Sequence, residues 1–203
     1  MPISGTNRQY RGYTQQQVEK IGNSIIFLAN GMGMLYKTKL LKLIYLLDEI
    51  SVFRHGIPFF NLEYKVWQAG PVSVDLYEEF NEHPFMLENF IHLEFDEKGT
   101  RIVPKKAFSD DEFSPIDIAL LQEMVDDYKW VSAEKLVDLV HRKDSPWYII
   151  ADENHLIDDF NGKRINTTDL IIDLSVLIKD DLRKLTLFNE NKEIIDFSRP
   201  LKP

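Results

Sequence analysis

Asp48, His55 and His141 are the side chains whose chemical types could support acid–base catalysis. On a helix, Asp48 lies about 80° from Leu40, beside an apolar stripe, and His55 falls on nearly the same side. Because seven helical residues rise about 10.5 Å, Asp48 and His55 cannot bond directly, and His141 would have to bridge them. One hypothesis is therefore a hydrolase that uses Asp48 and His141. The alternative, which we favour, is that Asp48 is a buried acid whose hydrogen bonds fix the packing.

Other motifs for catalysis or metal binding are missing from the sequence. No two histidines are spaced i, i+4 on one helix, and no His-Glu-x-x-His pattern occurs among His55, His83, His92, His141 and His155. The chain has no cysteine, no Gly-x-Ser-x-Gly elbow and no phosphate-binding loop. We therefore predict that the protein is not an enzyme and uses no metal or cofactor.

Three large aromatic residues, Trp67, Tyr77 and Trp147, form a second group of candidates. Tyrosine and tryptophan combine a large apolar body with a polar tip, so they anchor both protein cores and protein interfaces. The loop from Trp67 to Pro71 is the best candidate for an interface, since a rigid proline turn presents side chains at low entropic cost. The predicted binding residues are therefore Trp67, Gln68, Pro71, Tyr77 and Trp147.

The composition describes an acidic, globular chain. Its net charge of −9 would repel the phosphate backbone, so a nucleic-acid partner is not expected, whereas a basic protein would be attracted. The sequence has no apolar run of the length that a membrane span needs and no apolar core of a secretory signal near its start. Together with the absence of cysteine, this favours a cytoplasmic protein.

The hydrophobic pattern predicts a mainly α-helical fold. Apolar residues recur at helical spacing after Thr14 and again from about residue 38 to 54. Further helices are expected to begin at Gly70-Pro71, Ser114-Pro115, Ser132 and Ser145-Pro146, and a last one to span about 168–185. Residues 90–95 and 101–104 should form a small β-hairpin. We expect a compact helical domain over residues 14–185, with a polar lead-in over 1–13 and a tail over 186–203.

Taken in order, the motifs resemble the Panacea domain, an antitoxin domain also known from phage-associated GepA-like proteins. The first half carries the Lys39-Leu40-Leu41-Lys42-Leu43 helix and the second half a serine-capped helix before a histidine and Pro-Trp. The residues that carry the resemblance are Asp48, His55, Gly56, Pro58, Trp67, Gly70, Pro71, Tyr77, His141, Pro146 and Trp147. Leu47 departs from the small residue that is usual before the acid, and the segment after residue 185 has no counterpart.

The resemblance implies an antitoxin that neutralises a cognate protein toxin, encoded by an adjacent gene, by direct binding. Some relatives act instead as adaptors that deliver the toxin to a cellular protease. In that alternative the tail, with Ile194 and Phe197, would supply a second contact. The resemblance implies no catalytic residue. A hydrolase and a DNA-binding regulator are the less favoured alternatives.

Overall fold

The computed structural model describes residues 12–81 and 83–198. The described residues form eight α-helices: α1 (Gln15–Met32), α2 (Lys37–His55), α3 (Val74–Glu79), α4 (Pro115–Tyr128), α5 (Ala133–Val140), α6 (Pro146–Glu153), α7 (Ile157–Asn161) and α8 (Leu182–Ser198). A 3-10 helix, Leu174–Ile178, precedes α8.

Two small antiparallel sheets accompany the helices. The first has the strand order β1-β5-β4, with β1 at Leu35–Tyr36, β4 at Ile91–Asp96 and β5 at Gly99–Pro104. The second is the hairpin of β2 (Lys65–Trp67) and β3 (Gly70–Val72). The expected fold class, mainly helical with a minor β element, is confirmed, and so is the hairpin near residues 90–104.

Helix α2 lies at the centre of the fold. It packs against α4, α5, α8 and the 3-10 helix, and also against strands β1, β3 and β5. Twelve of its residues are buried, from Leu40 to Val52, so no face of the helix is left to solvent along its middle. A helix surrounded in this way must bury polar residues too, and each buried polar group needs a partner inside the protein.

Serine and threonine caps set most helix starts where the sequence predicts them. Thr14 and Ser114 each form a complete capping box, with Gln17 and Asp117 respectively. Ser132 and Ser145 accept hydrogen bonds from the backbone N–H groups of Lys135 and Tyr148. Ser145 is fully buried, so this cap fixes α6 and its Trp147 against the core.

One predicted helix start and one predicted helix are wrong. Gly70 and Pro71 open strand β3 and not a helix, and α3 begins only at Val74. The predicted helix over residues 168–185 is instead an extended segment followed by the 3-10 helix. Helix α8 then runs through the expected boundary at residue 185, up to Ser198.

The two ends of the chain are described only in part. Of the predicted lead-in, residues 1–11 lie outside the described part, but Tyr13 is buried and donates a hydrogen bond to Asp75 Oδ2 at 2.9 Å. The side chain of Phe197, expected to supply a second contact, also lies outside it.

Candidate functional site

Asp48 is a fully buried carboxylate that organises the segment after α2. Its Oδ1 accepts hydrogen bonds from the backbone N–H groups of Phe60 at 2.6 Å and Asn61 at 3.3 Å. Its Oδ2 accepts from the N–H of Leu62 at 3.3 Å and from the Tyr64 hydroxyl at 2.8 Å. Burial raises the pKa of Asp48, while these four donors favour the ionised form. Asp48 therefore works as a structural hub, as the sequence favours.

Asp48 and His141 do not form a catalytic pair. The hydrogen bonds of Asp48 all go to residues 60–64, and His55 is exposed at the end of α2. His141 ends α5, and its ring lies against Trp147 with the centroids 3.9 Å apart. Burial and the charge of Lys42 lower the pKa of His141 to about 4, so the ring is neutral at pH 7. Because His141 makes no hydrogen bond with Asp48, the two residues give no support to hydrolysis.

Several of the residues that carry the resemblance, among them Trp67, Gly70 and Trp147, meet instead around one tight turn, residues 67–70, which we call the Gln68 turn. The Gln68 N–H donates to the carbonyl of Asn166 at 2.9 Å, and its side-chain amide donates to the carbonyl of Phe160 at 2.5 Å. The Trp147 indole N–H donates to the carbonyl of Trp67 at 2.9 Å. The turn is thus held from two sides by later parts of the chain.

Gly70 makes the close packing behind this turn possible. Its φ of +99° is one that residues with a side chain rarely adopt. A Cβ at this position would lie 2.8 Å from Val140 Cγ2, 3.0 Å from Lys42 Nζ and 3.3 Å from His141 Nε2. The next carbonyl, that of Pro71, accepts a hydrogen bond from Lys42 Nζ at 2.9 Å. The turn therefore rests directly on α2 and on the end of α5.

The five predicted binding residues divide into two groups by accessibility. Trp67, Gln68 and Tyr77 are half-buried, and the rings of Trp67 and Tyr77 pack edge to face with centroids 5.0 Å apart. Pro71 and Trp147 are buried. The first three can meet a partner as the chain stands. Pro71 and Trp147 lie behind them and hold the turn.

Two clefts flank the Gln68 turn. One, of about 580 Å³, is lined by Gln68, His141, Trp147, Tyr148, Phe160 and Lys163 among others. The second, of about 240 Å³, is lined among others by Lys37, Lys42, Trp67, Gln68, Tyr77 and Asn166, and we call it the lysine cleft. Within the described part of the chain, the lining of the lysine cleft contains no aspartate or glutamate.

Comparison with known protein families agrees with this constellation. A family model described as the antitoxin SocA-like, Panacea domain matches residues 40–148, more than half of the chain. The chain belongs to this family. The matched range includes every residue that carries the resemblance, from Asp48 to Trp147. No curated protein and no solved structure matches the chain.

The Panacea domain is completed by residues outside the matched range. Residues 166–172 run along β2: the carbonyl of Leu170 accepts from the Val66 N–H at 2.9 Å, and the Thr168 hydroxyl donates to the Val66 carbonyl at 2.7 Å. The Ile172 N–H donates to the carbonyl of Tyr64 at 2.8 Å. This later segment therefore supports the Gln68 turn by pairing with β2.

Sequence reasoning missed several buried charges of the Panacea domain. Lys42 is buried against the Gln68 turn, and the buried Glu49 forms an ion pair with Arg142. Glu79 accepts hydrogen bonds from the backbone N–H groups of residues 86 and 87, at 3.1 Å and 3.0 Å. The only signal for Lys42 is its place in the Lys-Leu-Leu-Lys-Leu motif, whose helix proved to be central. Trp130, with 88% of its surface exposed, was not singled out either.

The described residues contain no group of three or more histidine, aspartate or glutamate side chains placed to hold a metal ion. Across the same residues, every helix is too short or too polar to span a bilayer.

Proposed function

We propose that this chain is an antitoxin that neutralises a cognate protein toxin by direct binding, and that the toxin is encoded by the adjacent gene. The observation that carries the proposal is the match to an antitoxin domain over a range that contains the whole Gln68 turn and, of its supports, Lys42, Val140 and Trp147. A second line of support is the surface at the Gln68 turn, whose aromatic side chains suit contact with a protein and not catalysis.

The proposed contact surface consists of Trp67, Gln68 and Tyr77. Half-exposed aromatic side chains that are already packed against each other lose little conformational entropy when a partner covers them. The backbone of the turn is fixed by hydrogen bonds to Asn166 and Trp147, and the Gln68 side chain by its hydrogen bond to the carbonyl of Phe160. A preorganised surface of this kind favours tight binding without rearrangement of the antitoxin.

The proposed toxin is basic. The net charge of −9 gives the antitoxin a negative long-range field, which speeds its encounter with a positively charged partner. The same field opposes approach to nucleic acid, so we propose no role in DNA or RNA binding.

Delivery of the toxin to a protease is the second candidate function. An adaptor needs a second accessible surface, and α8 carries two apolar side chains that suit one, Leu182 with 78% and Ile194 with 67% of its surface exposed. Both lie far along the chain from the Gln68 turn and outside the matched range.

Co-expression with the product of the adjacent gene separates these functions. Growth should be rescued, the two proteins should co-purify, and the amount of toxin in the cell should stay constant. Rescue accompanied by loss of the toxin, which a protease-deficient strain reverses, would favour the adaptor. Absence of both rescue and complex would contradict the antitoxin function for this pair.

A further inference from the structure

Lys42 is a buried lysine that has no counter-charge among the residues that the structure describes. Only 2% of its surface is exposed, and its Nζ makes one hydrogen bond, to the carbonyl of Pro71 at 2.9 Å. No ion pair joins Lys42 to any of the described residues. An ammonium group has three N–H donors, so this environment leaves its charge and part of its hydrogen-bonding capacity unsatisfied.

Such a group lowers the stability of the free protein. Burial without an opposite charge disfavours the ammonium form, and it lowers the pKa of Lys42 to about 7. The neighbouring His141 cannot supply a counter-charge, because a histidine ring is either neutral or positively charged, and burial and the charge of Lys42 lower its pKa to about 4. A residue that costs stability in the free chain is often one that a binding partner requires.

The lining of the lysine cleft includes two lysines. Lys42 lines the cleft together with Lys37, whose Nζ lies 3.5 Å from the centroid of the Tyr77 ring. Burial also lowers the pKa of Lys37, to about 8. Thr38, Gln68 and Asn166 add polar side chains to the same lining. The chain as a whole is acidic, with a net charge of −9, but the described lining of this cleft has two lysines and no acid, so the cleft is locally basic.

We propose that the lysine cleft binds a carboxylate, carried by an acidic side chain of the toxin that enters beside the Gln68 turn. The inference rests on the proposed function, because it assigns the carboxylate to the same partner. The volume of about 240 Å³ fits one side chain and not a larger ligand. A carboxylate supplies the single negative charge and the acceptor oxygens that Lys42 lacks.

The inference adds a specific contact to a partnership that is otherwise governed by opposite overall charges. A basic toxin is steered by the acidic surface as a whole, while one of its acidic residues is recognised in the cleft. The pairing of an acidic toxin residue with the lysine cleft would discriminate against other basic proteins, which lack an acid at that position.

The test begins with the free protein, so it does not depend on the toxin. The pKa of Lys42 is measured by NMR from the Cε and Hε shifts of 13C-labelled lysine, and Lys42→Met identifies its signal. The probes are N-acetylglutamate methylamide, its neutral glutamine analogue and inorganic phosphate. The glutamate probe should raise the pKa of Lys42 and the glutamine analogue should not. Because the fraction of charged Lys42 falls from about one half to about one tenth between pH 7 and pH 8, affinity for the glutamate probe should fall about fivefold.

A pKa of Lys42 that stays unchanged at saturating glutamate probe, or that responds to phosphate alone, would overturn the proposal. Binding of the toxin provides the second readout. Lys42→Met should weaken it at least tenfold, whereas Lys135→Met, which removes an exposed lysine from α5, should not.

The two proposals fail in different ways. Equal toxin binding by the wild type and Lys42→Met would refute the carboxylate contact and leave the antitoxin function standing. A response to the glutamate probe in a protein that never binds the toxin would retain the carboxylate site and refute its assignment to this toxin.

Discussion

At the scale of single residues, Asp48 holds together α2 and the segment that leads to the β2–β3 hairpin. Three backbone N–H groups and one hydroxyl donate to its two oxygens inside the core. Asp48→Asn replaces one acceptor oxygen by an N–H donor that faces other donors. We expect it to lower the free energy of unfolding by about 3 kcal/mol.

Urea denaturation followed by circular dichroism measures this change. Asp152→Asn, on the exposed end of α6, is the matched control and should stay within about 0.5 kcal/mol of the wild type. An equally small change for Asp48→Asn would show that its hydrogen bonds are not a structural hub.

The buried Lys42 should make the free energy of unfolding depend on pH. The pKa of the unfolded lysine is 10.5, and burial lowers that of the folded one to about 7. Between these values the unfolded chain binds a proton that the folded chain does not, so the contribution of Lys42 to stability rises with pH, by at most about 5 kcal/mol. Lys42→Met should therefore be more stable than the wild type at pH 7, and this advantage should shrink towards pH 10.

Chemical denaturation at several pH values measures the difference in the free energy of unfolding between Lys42→Met and the wild type. The contributions of the other titrating groups cancel in this difference. Lys135→Met, which removes an exposed lysine, should follow the wild type throughout. A constant difference between Lys42→Met and the wild type across this range would contradict the buried charge.

Sequence reasoning identified Asp48 as a buried acid but missed Lys42, for one physical reason. Helical periodicity assigns an inner and an outer face, and Lys42 falls opposite Leu40, on the expected outer face. Lys42 is buried nevertheless, because other elements cover α2 on all sides. That cover comes from parts of the chain that are distant in sequence, so the local sequence pattern does not indicate it. The acid was recognisable because it lies beside the apolar stripe.

At the scale of elements, the Gln68 turn depends on a glycine that touches two helices. Gly70→Ala would place a methyl group 2.8 Å from Val140 Cγ2, at a φ of +99°. We expect a loss of about 3 kcal/mol in the free energy of unfolding, from backbone strain and steric overlap together. The affinity for the toxin should fall as well, because the turn would shift.

Gly99→Ala is the matched control. Gly99 also has a positive φ, of +124°, but nothing lies within 4 Å of the added Cβ. Gly99→Ala should therefore lower the free energy of unfolding by backbone strain alone, about 1 to 2 kcal/mol, and should have no effect on toxin binding. Equal losses of stability in the two variants would show that the close contacts of Gly70 carry no energy.

The segment over residues 166–181 shows where element prediction from sequence ends. Leu170, Leu174 and Ile178 recur at helical spacing, yet the first of them lies in an extended segment. Hydrogen bonds of this segment to β2 outweigh the helical tendency, and such pairing between distant parts of the chain leaves no local trace. The start of α8 could have been predicted, because Asp181 accepts from the Lys184 N–H at 3.1 Å as an N-cap does.

At the scale of the whole molecule, the chain combines the proposed contact surface at the Gln68 turn with a strong negative charge. The charge of −9 should control how fast a basic toxin binds, while the Gln68 turn controls how long it stays bound. We expect the association rate constant to fall at least about tenfold between about 50 mM and 500 mM salt.

Stopped-flow fluorescence of the mixed proteins measures this rate. The dissociation rate should change much less over the same range, since the proposed contact surface includes the aromatic rings of Trp67 and Tyr77, whose apolar contacts salt does not screen. An association rate that is independent of salt would contradict steering by the acidic surface.

The central claim is that the Gln68 turn contacts the toxin directly. Calorimetric titration of an inactive toxin variant into the wild type, Ala69→Arg and Ala107→Arg tests it most directly. Ala69 is exposed in the turn, and Ala107 is exposed in a loop after β5, so both arginines should be tolerated by the fold. We predict that Ala69→Arg weakens binding at least tenfold and that Ala107→Arg leaves it unchanged. Equally tight binding by Ala69→Arg and the wild type would contradict the account.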